Sequence, residues 1–274
     1  MSSFDATQVV VDGVDTTVLT AGAGEPLVFL HGGGTVEGFD CFLPLAERFR
    51  LVVPYHPGFG LSGDDPRIGS IDDYVRHYLR LFDALGVEST VLFGHSWGGW
   101  LAANFATEHP ERVKRLVLAA PYGLDAPGHP LANIPAMTPD EVLAALSRDP
   151  TVFAGRIPVP LDEAFAAAQA RELQSAGRVM PGPFDPTLAE RLRLLTMPTL
   201  VLWGEDDRIV PAAHEAVWSR CCRTGAQPCS RAGGTCSSTR TPRRSWQSGR
   251  SPRAPRSAGQ TSRRHGSSSP HHRP

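Results

Sequence analysis

The run Val91-Leu92-Phe93-Gly94-His95-Ser96-Trp97-Gly98-Gly99-Trp100 constrains this chain more than any other segment. An apolar strand ends in Gly-x-Ser-x-Gly, and a helix opens directly after it. The spacing has a mechanical cause. A serine on so sharp a strand-to-helix turn is strained, and its hydroxyl is pushed out above the sheet. Gly94 and Gly98 leave room where a side chain would collide with the neighbouring strand or helix. A chance glycine-serine turn would supply the pattern but not the strand before it and the helix after it.

The C-terminal stretch has a different character. After Val217 there is no Val, Ile, Leu, Met or Phe, and after Glu215 no Asp or Glu. Residues 219–274 are rich in Arg, Ser, Gly and Pro with four cysteines, a mixture that cannot build a packed core. The net charge of −1 therefore conceals an asymmetry. Twelve Arg and no acid lie in this tail, while the other fifteen basic residues face all 28 acidic ones in the body. A length of 274 residues suits one α/β domain with a lid. Met1–Gln8 lacks the apolar region of a signal peptide, and no run approaches a membrane span. Cys41 alone in the body cannot make a disulfide framework, so a reducing cytoplasm is the expected location.

Along the chain, Val9–Val11 and Thr16–Thr20 flank Asp12-Gly13-Val14-Asp15 and read as a hairpin. Leu27-Val28-Phe29-Leu30 has the continuous apolar character of a strand buried on both faces, and it ends in His31-Gly32-Gly33-Gly34. Phe39–Phe49 is expected to be a helix and Leu51-Val52-Val53 the next strand. Ser70-Ile71-Asp72-Asp73 is a capping-box start for a helix that carries Tyr74, Tyr78, Leu81 and Leu85 and stops at Gly86. Helix Trp97–His109, strand Val113–Ala119 and strand Thr199–Trp203 complete the alternation. Strands and helices at this interval predict an α/β fold: a mostly parallel sheet with helices on both faces. Between them, the Pro- and Gly-rich opening of 121–196 leads to Ala/Leu-rich pieces at Pro139–Ser147 and Leu161–Ala176, which predict a small helical lid. The expected division is a core of 1–120 and 197–218, a lid of 121–196 and a disordered tail of 219–274.

Four motifs, in order, carry a resemblance. They are His31-Gly32-Gly33-Gly34, Pro57-Gly58-Phe59-Gly60-Leu61-Ser62, the Ser96 elbow, and Trp203-Gly204-x-x-Asp207 followed by Val210-Pro211. Over roughly Val9 to Trp218 the chain resembles the α/β-hydrolase superfamily. Gly-His-Ser-Trp-Gly-Gly looks like small esterases, perhydrolases and proline-releasing aminopeptidases. His-Gly-Gly-Gly is similar to the carbon–carbon bond hydrolases of aromatic breakdown. Serine at the elbow argues against dehalogenase and epoxide-hydrolase chemistry, where the family places an aspartate.

The resemblance implies roles. Ser96 is the candidate nucleophile, and it needs an adjacent base because its hydroxyl is a poor nucleophile at neutral pH. The oxyanion donors would be the backbone N–H of Trp97, at a helix N-terminus, and that of Gly33, with Gly32 and Gly34 as neighbours. Asp207 is the candidate orienting acid at the carboxyl end of a strand, with Asp206 the neighbour that could be confused with it. The base should be a histidine after Asp207. His214, one helical turn beyond the acid, is expected on the surface; His265, His271 and His272 lie in the tail. His95 precedes the nucleophile on its strand, faces the opposite way and is expected to be a buried, hydrogen-bonded imidazole. The sequence thus offers no credible base, and the family's last strand and helix are missing.

A slipped reading frame would explain this. If the third base of each codon is read with the first two of the next, Arg231 through Thr239 permits Gly-Gly-Gly-His-Leu-Leu-Leu-Asp. That is a Gly-His turn of the kind the family uses for its base. The slip would lie near Ser219. Other readings of the tail are weaker: Cys221, Cys222, Cys229 and Cys236 lack paired Cys-x₂-Cys zinc spacing, and the Arg/Ser stretch lacks the aromatic interleaving of an RNA binder. Two functional expectations follow. One is a serine hydrolase acting on a small ester or related acyl compound through an acyl-enzyme at Ser96. The other is an impaired or non-enzymatic protein on the same scaffold. No metal, cofactor, nucleic acid or membrane is implied as a partner; oligomeric state stays open. Phe153, Ile157, Phe165, Leu173 and Met180 would line an apolar pocket or pack the lid onto the body.

Overall fold

The Asp12-Gly13 pair has φ of 52° and 86°, so both residues take the left-handed backbone that a two-residue hairpin turn demands. The computed structural model describes residues 3–36, 38–147, 149, 157, 160, 162–179, 182 and 184–222. The turn is tighter than the four residues expected from sequence: β1 (Asp5–Val11) and β2 (Val14–Ala21) pair in antiparallel register down to Val11 opposite Val14. Next come β3 (Pro26–Leu30), β4 (Arg50–Pro54), β5 (Thr90–His95), β6 (Val113–Ala119) and β7 (Thr199–Leu202). The sheet order is β1-β2-β4-β3-β5-β6-β7, antiparallel at β1-β2-β4 and parallel from β4 to β7. Among the described residues no strand follows β7.

Alternation along the strands buries both faces. Val28, Leu30, Val52 and Leu92 join the larger core, while Leu27, Phe29, Leu51, Val53 and Val91 join a smaller one on the other side. The helices are α1 (Ile71–Ala84), α2 (Trp97–Glu108), α3 (Pro139–Leu146), α4 (Glu163–Val179), α5 (Leu188–Leu192) and α6 (Ala213–Cys221). Ser70 caps α1 by accepting the Asp73 N–H at 3.2 Å, and Asp73 answers with bonds from the Ser70 hydroxyl and the Gly69 N–H. Tyr74, Tyr78, Leu81 and Phe82 then fall on one buried stripe. The helix expected at Phe39–Phe49 is instead a 3-10 helix, Asp40–Glu47, with Pro44 inside it. Proline lacks the N–H that an α-helix needs there, and the tighter winding results.

The tail boundary also moves. Packing does not stop at Trp218: α6 runs to Cys221, and Trp218, Cys221 and Cys222 are all buried in the larger core. Tryptophan and cysteine supply the apolar surface that Val, Ile and Leu no longer provide. The described residues all fall in one unit, Met1–Arg240; the other, Thr241–Pro274, lies outside them. The expected disorder of 223–274 and the proposed Gly-His turn fall on residues that are not described.

The chain moves from β3 to β4 on one side and returns to β5 on the other. Strand order therefore reverses between β3 and β5, the position at which open α/β sheets leave a crevice. The glycine run after β3 and Ser96 after β5 both end there.

Candidate active site

Ser96 has φ of 52° and ψ of −118°, between the last residue of β5 and the first of α2. A non-glycine residue rarely adopts this backbone, and here four hydrogen bonds enforce it. Its N–H donates to Ala119 O, and its carbonyl accepts from the N–H groups of Gly99, Trp100 and Tyr122. A Cβ at Gly98 would lie 2.2 Å from His31 O, and one at Gly94 would lie 2.3 Å from Gly98 O. Glycine at 98 lets α2 approach the end of β3, and glycine at 94 lets β5 approach α2. Trp97 is buried among His56, Phe59 and Tyr74, which clamps the first turn of α2. As the first residue of that helix, its backbone N–H has no intrahelical partner.

The glycine turn passes the nucleophile closely. A Cβ on Gly32 would sit 3.5 Å from Ser96 Cβ and 3.3 Å from His95 Nδ1. A Cβ on Gly33 would meet nothing within 4 Å, so this residue borders open space. Beneath the turn lies a network that sequence reasoning missed. His31 Nδ1 faces Gly32 O at 2.7 Å and must donate to it, so Nε2 is the acceptor for the His56 N–H at 3.1 Å. His56 Nε2 donates to His31 O at 2.8 Å, so its Nδ1 accepts from the Tyr78 hydroxyl. The carbonyl acceptors thereby fix both tautomers, and both rings are neutral. Burial lowers His31 to about 3 and holds His56 well below its ordinary value. His77, on α1 and bonded to the Thr16 hydroxyl at 3.1 Å, is lowered by burial to about 4.

These three depressed values have a measurable consequence. In the unfolded chain each histidine binds its proton at about pH 6.5, and in the folded chain none does at pH 5.5. Stability is therefore full above pH 7.5 and falls as pH drops through 6.5. Three groups at about 1.4 kcal/mol per unit remove about 4 kcal/mol between pH 7.5 and 5.5. Urea unfolding at the two pH values measures this, and His77→Gln should shrink the difference by about a third. An unchanged midpoint would contradict it.

Asp207 follows β7 in a turn closed by the Trp203 indole N–H donating to Val210 O at 2.9 Å. Its Oδ1 accepts the N–H groups of Ile209 at 2.9 Å and Val210 at 2.8 Å. Its Oδ2 has no hydrogen bond among the described residues. Burial raises its pKa, opposed by those two N–H groups and by His95 and His214.

His214 corrects the sequence expectation. It is fully buried rather than exposed, because the segment after β6 folds over α6. Its Nδ1 lies 3.1 Å from Leu124 O and its Nε2 2.8 Å from His129 O. The ring is also stacked against Trp203 and Phe184. With both nitrogens facing carbonyl oxygens, neither is directed at Ser96. His95 differs too: it is half-buried, it makes no hydrogen bond among the described residues, and it borders the same glycine turn as Ser96 rather than facing away, because Ser96 leaves the extended backbone on which side chains alternate. Leu173 is 59% exposed, so it does not line an enclosed pocket; Phe153 and Met180 lie outside the described residues, and His265, His271 and His272 do as well. Among the described residues no metal-binding group of His, Cys, Asp or Glu occurs, and no helix is long and apolar enough to cross a membrane.

A family model for the alpha/beta hydrolase fold matches residues 25–157. The 2-hydroxy-6-oxo-6-phenylhexa-2,4-dienoate hydrolase of Burkholderia cepacia is 32% identical over 222 residues, covering 71% of this chain and 75% of that enzyme. The chain belongs to the α/β-hydrolase fold family. This α/β hydrolase is also 29% identical over 229 residues to the 2-hydroxymuconate semialdehyde hydrolase of Pseudomonas sp. strain CF600, covering 74% of the chain and 78% of that enzyme. It superposes on the 2-hydroxy-6-oxo-6-phenylhexa-2,4-dienoate hydrolase of Rhodococcus sp. strain RHA1 with a TM-score of 0.70 at 23% identity, covering 85% of this chain and 91% of that one. At that identity the likeness shows the shared fold.

Proposed function

We propose that this α/β hydrolase performs acyl transfer at Ser96 on a small carbonyl compound of the 2-hydroxy-6-oxo-dienoate kind. The observation that carries the reading is the strained Ser96 beside the glycine turn, at the strand reversal, in a chain whose relatives are named for such substrates. Ser96 Oγ attacks the carbonyl carbon, and an electron pair moves onto the carbonyl oxygen. The N–H groups of Gly33 and Trp97 hold that oxyanion. On collapse the bond to the leaving group breaks. In an ester this is the alkoxy oxygen; in a 2-hydroxy-6-oxo-dienoate it is the adjacent carbon, which first takes a proton as the 2-hydroxy group loses one and becomes 2-oxo, so that on cleavage its electrons pass through the remaining double bond onto the 2-oxo oxygen. Water then hydrolyses the acyl-serine. The described helices α3, α4 and α5 would act as the lid over this site.

The proton transfers need an imidazole, with Asp207 Oδ2 open to orient it. Among the described residues no histidine is hydrogen-bonded to Ser96 or Asp207. His31, His56 and His214 have both nitrogens facing protein partners. His95 Nδ1 and Ser96 Cβ both border the place a Gly32 Cβ would occupy, at 3.3 and 3.5 Å, but among the described residues His95 makes no hydrogen bond to Ser96 or Asp207. This supports the second reading, an impaired hydrolase with slow turnover. Loss of absorbance of a 2-hydroxy-6-oxo-dienoate, run beside a p-nitrophenyl ester, tests both. The expected result is slow, Ser96-dependent cleavage that His95→Gln changes by less than about threefold. Rapid cleavage that His95→Gln abolishes would make His95 the base and overturn the reading.

A further inference from the structure

Glu172, on α4 of the lid, is 2% exposed although it carries a carboxylate. Its partners explain why. Oε2 accepts the Thr35 N–H at 3.2 Å, and Oε1 accepts the Thr35 hydroxyl at 2.6 Å and the Gly60 N–H at 2.9 Å. Gln169, one turn earlier on α4, donates to Oε2 at 3.4 Å. One carboxylate thus joins three segments: the lid helix, the end of the glycine turn and the loop of Pro57–Ser62. A Cβ on Gly34 would lie 3.8 Å from Oε2, so the carboxylate also lies along the turn itself.

The rest of α4 docks on the same two loops. Arg171 donates to Gly60 O, and Arg178 pairs with Asp64. Ser175 is fully buried against Gly58, where a Cβ would lie 2.1 Å from its hydroxyl oxygen. These contacts would anchor the helix without Glu172. Among the described residues of α4, only Glu172 is bonded to the glycine turn. Burying a carboxylate is costly unless its oxygens are satisfied, and here donors from two loops satisfy them. An apolar residue would fill the space but leave the Thr35 and Gly60 N–H groups without acceptors.

We propose that Glu172 is the positioning residue of the oxyanion turn. By fixing the N–H and hydroxyl of Thr35 it sets the peptide planes of Gly33 and Gly34, so that the Gly33 N–H stays directed at the oxyanion. Seating the lid and assembling the oxyanion hole are then one event. The inference rests on Gly33 being the donor, as proposed above. The glutamate touches neither substrate nor nucleophile; it acts through the turn.

The test compares Glu172→Gln with Arg178→Met, which loosens the same helix without touching the turn. Amide hydrogen exchange over residues 32–35 and 60 reads the turn directly, whether or not the chain is active. The rate at which a fluorophosphonate labels Ser96 in 0.1 M imidazole reads the oxyanion hole. Glu172→Gln should raise exchange in both segments by about tenfold or more and slow labelling by about 10²-fold, the usual cost of one oxyanion donor. Arg178→Met should leave exchange at 32–35 and labelling within about threefold. Equal effects from the two variants would reduce Glu172 to a lid anchor and overturn the proposal, as would unchanged exchange in Glu172→Gln. If Glu172→Gln does not fold, Thr35→Val removes only the hydroxyl contact and should slow labelling about tenfold; a change of less than twofold overturns the proposal equally. Failure of the unaltered chain to label at all would instead sink the Ser96 reading, while the exchange comparison still decides whether Glu172 orders the turn.

Discussion

Reading the coding sequence in the alternative frame from about codon 219 yields a protein that turns over about 10⁴- to 10⁶-fold faster than the chain as given. The range follows from what a missing triad histidine costs a serine hydrolase. The physical ground is specific. Ser96 sits on its elbow, Asp207 has one carboxylate oxygen held by two N–H groups, and the oxygen that would orient an imidazole is open. The shifted frame permits a histidine at the Gly234/Thr235 junction, after a run with strand character. Sequencing codons 215–245 shows whether the codons allow it, and steady-state assays of the two proteins measure the gain. Codons that forbid histidine there, or equal rates, would remove the frame-shift account.

Ser96→Ala has an effect that depends on that base. In the base-restored protein it lowers turnover by about 10⁶-fold, because nucleophile and base act as a unit. In the chain as given the same substitution costs no more than about 10²-fold, since most of the advantage is already lost. The two ratios, measured on one substrate, form a double-mutant cycle. Equal ratios would mean that a base operates among the described residues. The substitution should leave the fold intact: the serine is held by its backbone, through bonds to Ala119, Gly99, Trp100 and Tyr122 that alanine keeps.

The sequence made the elbow legible because only glycine at position 94 lets β5 approach α2 so closely, and only glycine at 98 lets α2 approach the end of β3. The parallel strands were legible from continuous apolar runs, and α1 from its cap and its stripe of Tyr74, Tyr78 and Leu81. What the sequence hid depends on long-range folding. Counting one turn past Asp207 places His214 at the surface, but Leu124 and His129, 90 and 85 residues away, cover it. Glu172 reads as one charge on a lid helix, and its partners lie 137 and 112 residues distant. Helical composition around Phe39–Phe49 was real, and one proline turned it into a 3-10 helix. Tail composition marked the loss of aliphatic residues correctly but not the end of packing, since Trp218, Cys221 and Cys222 continue the core.

The most direct test of the central claim is the site and rate of fluorophosphonate labelling in the chain as given and in the base-restored chain, mapped by peptide mass spectrometry. The account predicts one adduct, on the peptide carrying Ser96, in both proteins, forming at least about 10³-fold more slowly in the chain as given and lost in Ser96→Ala. An adduct on another serine, none in either folded protein, or equal rates in the two would contradict it.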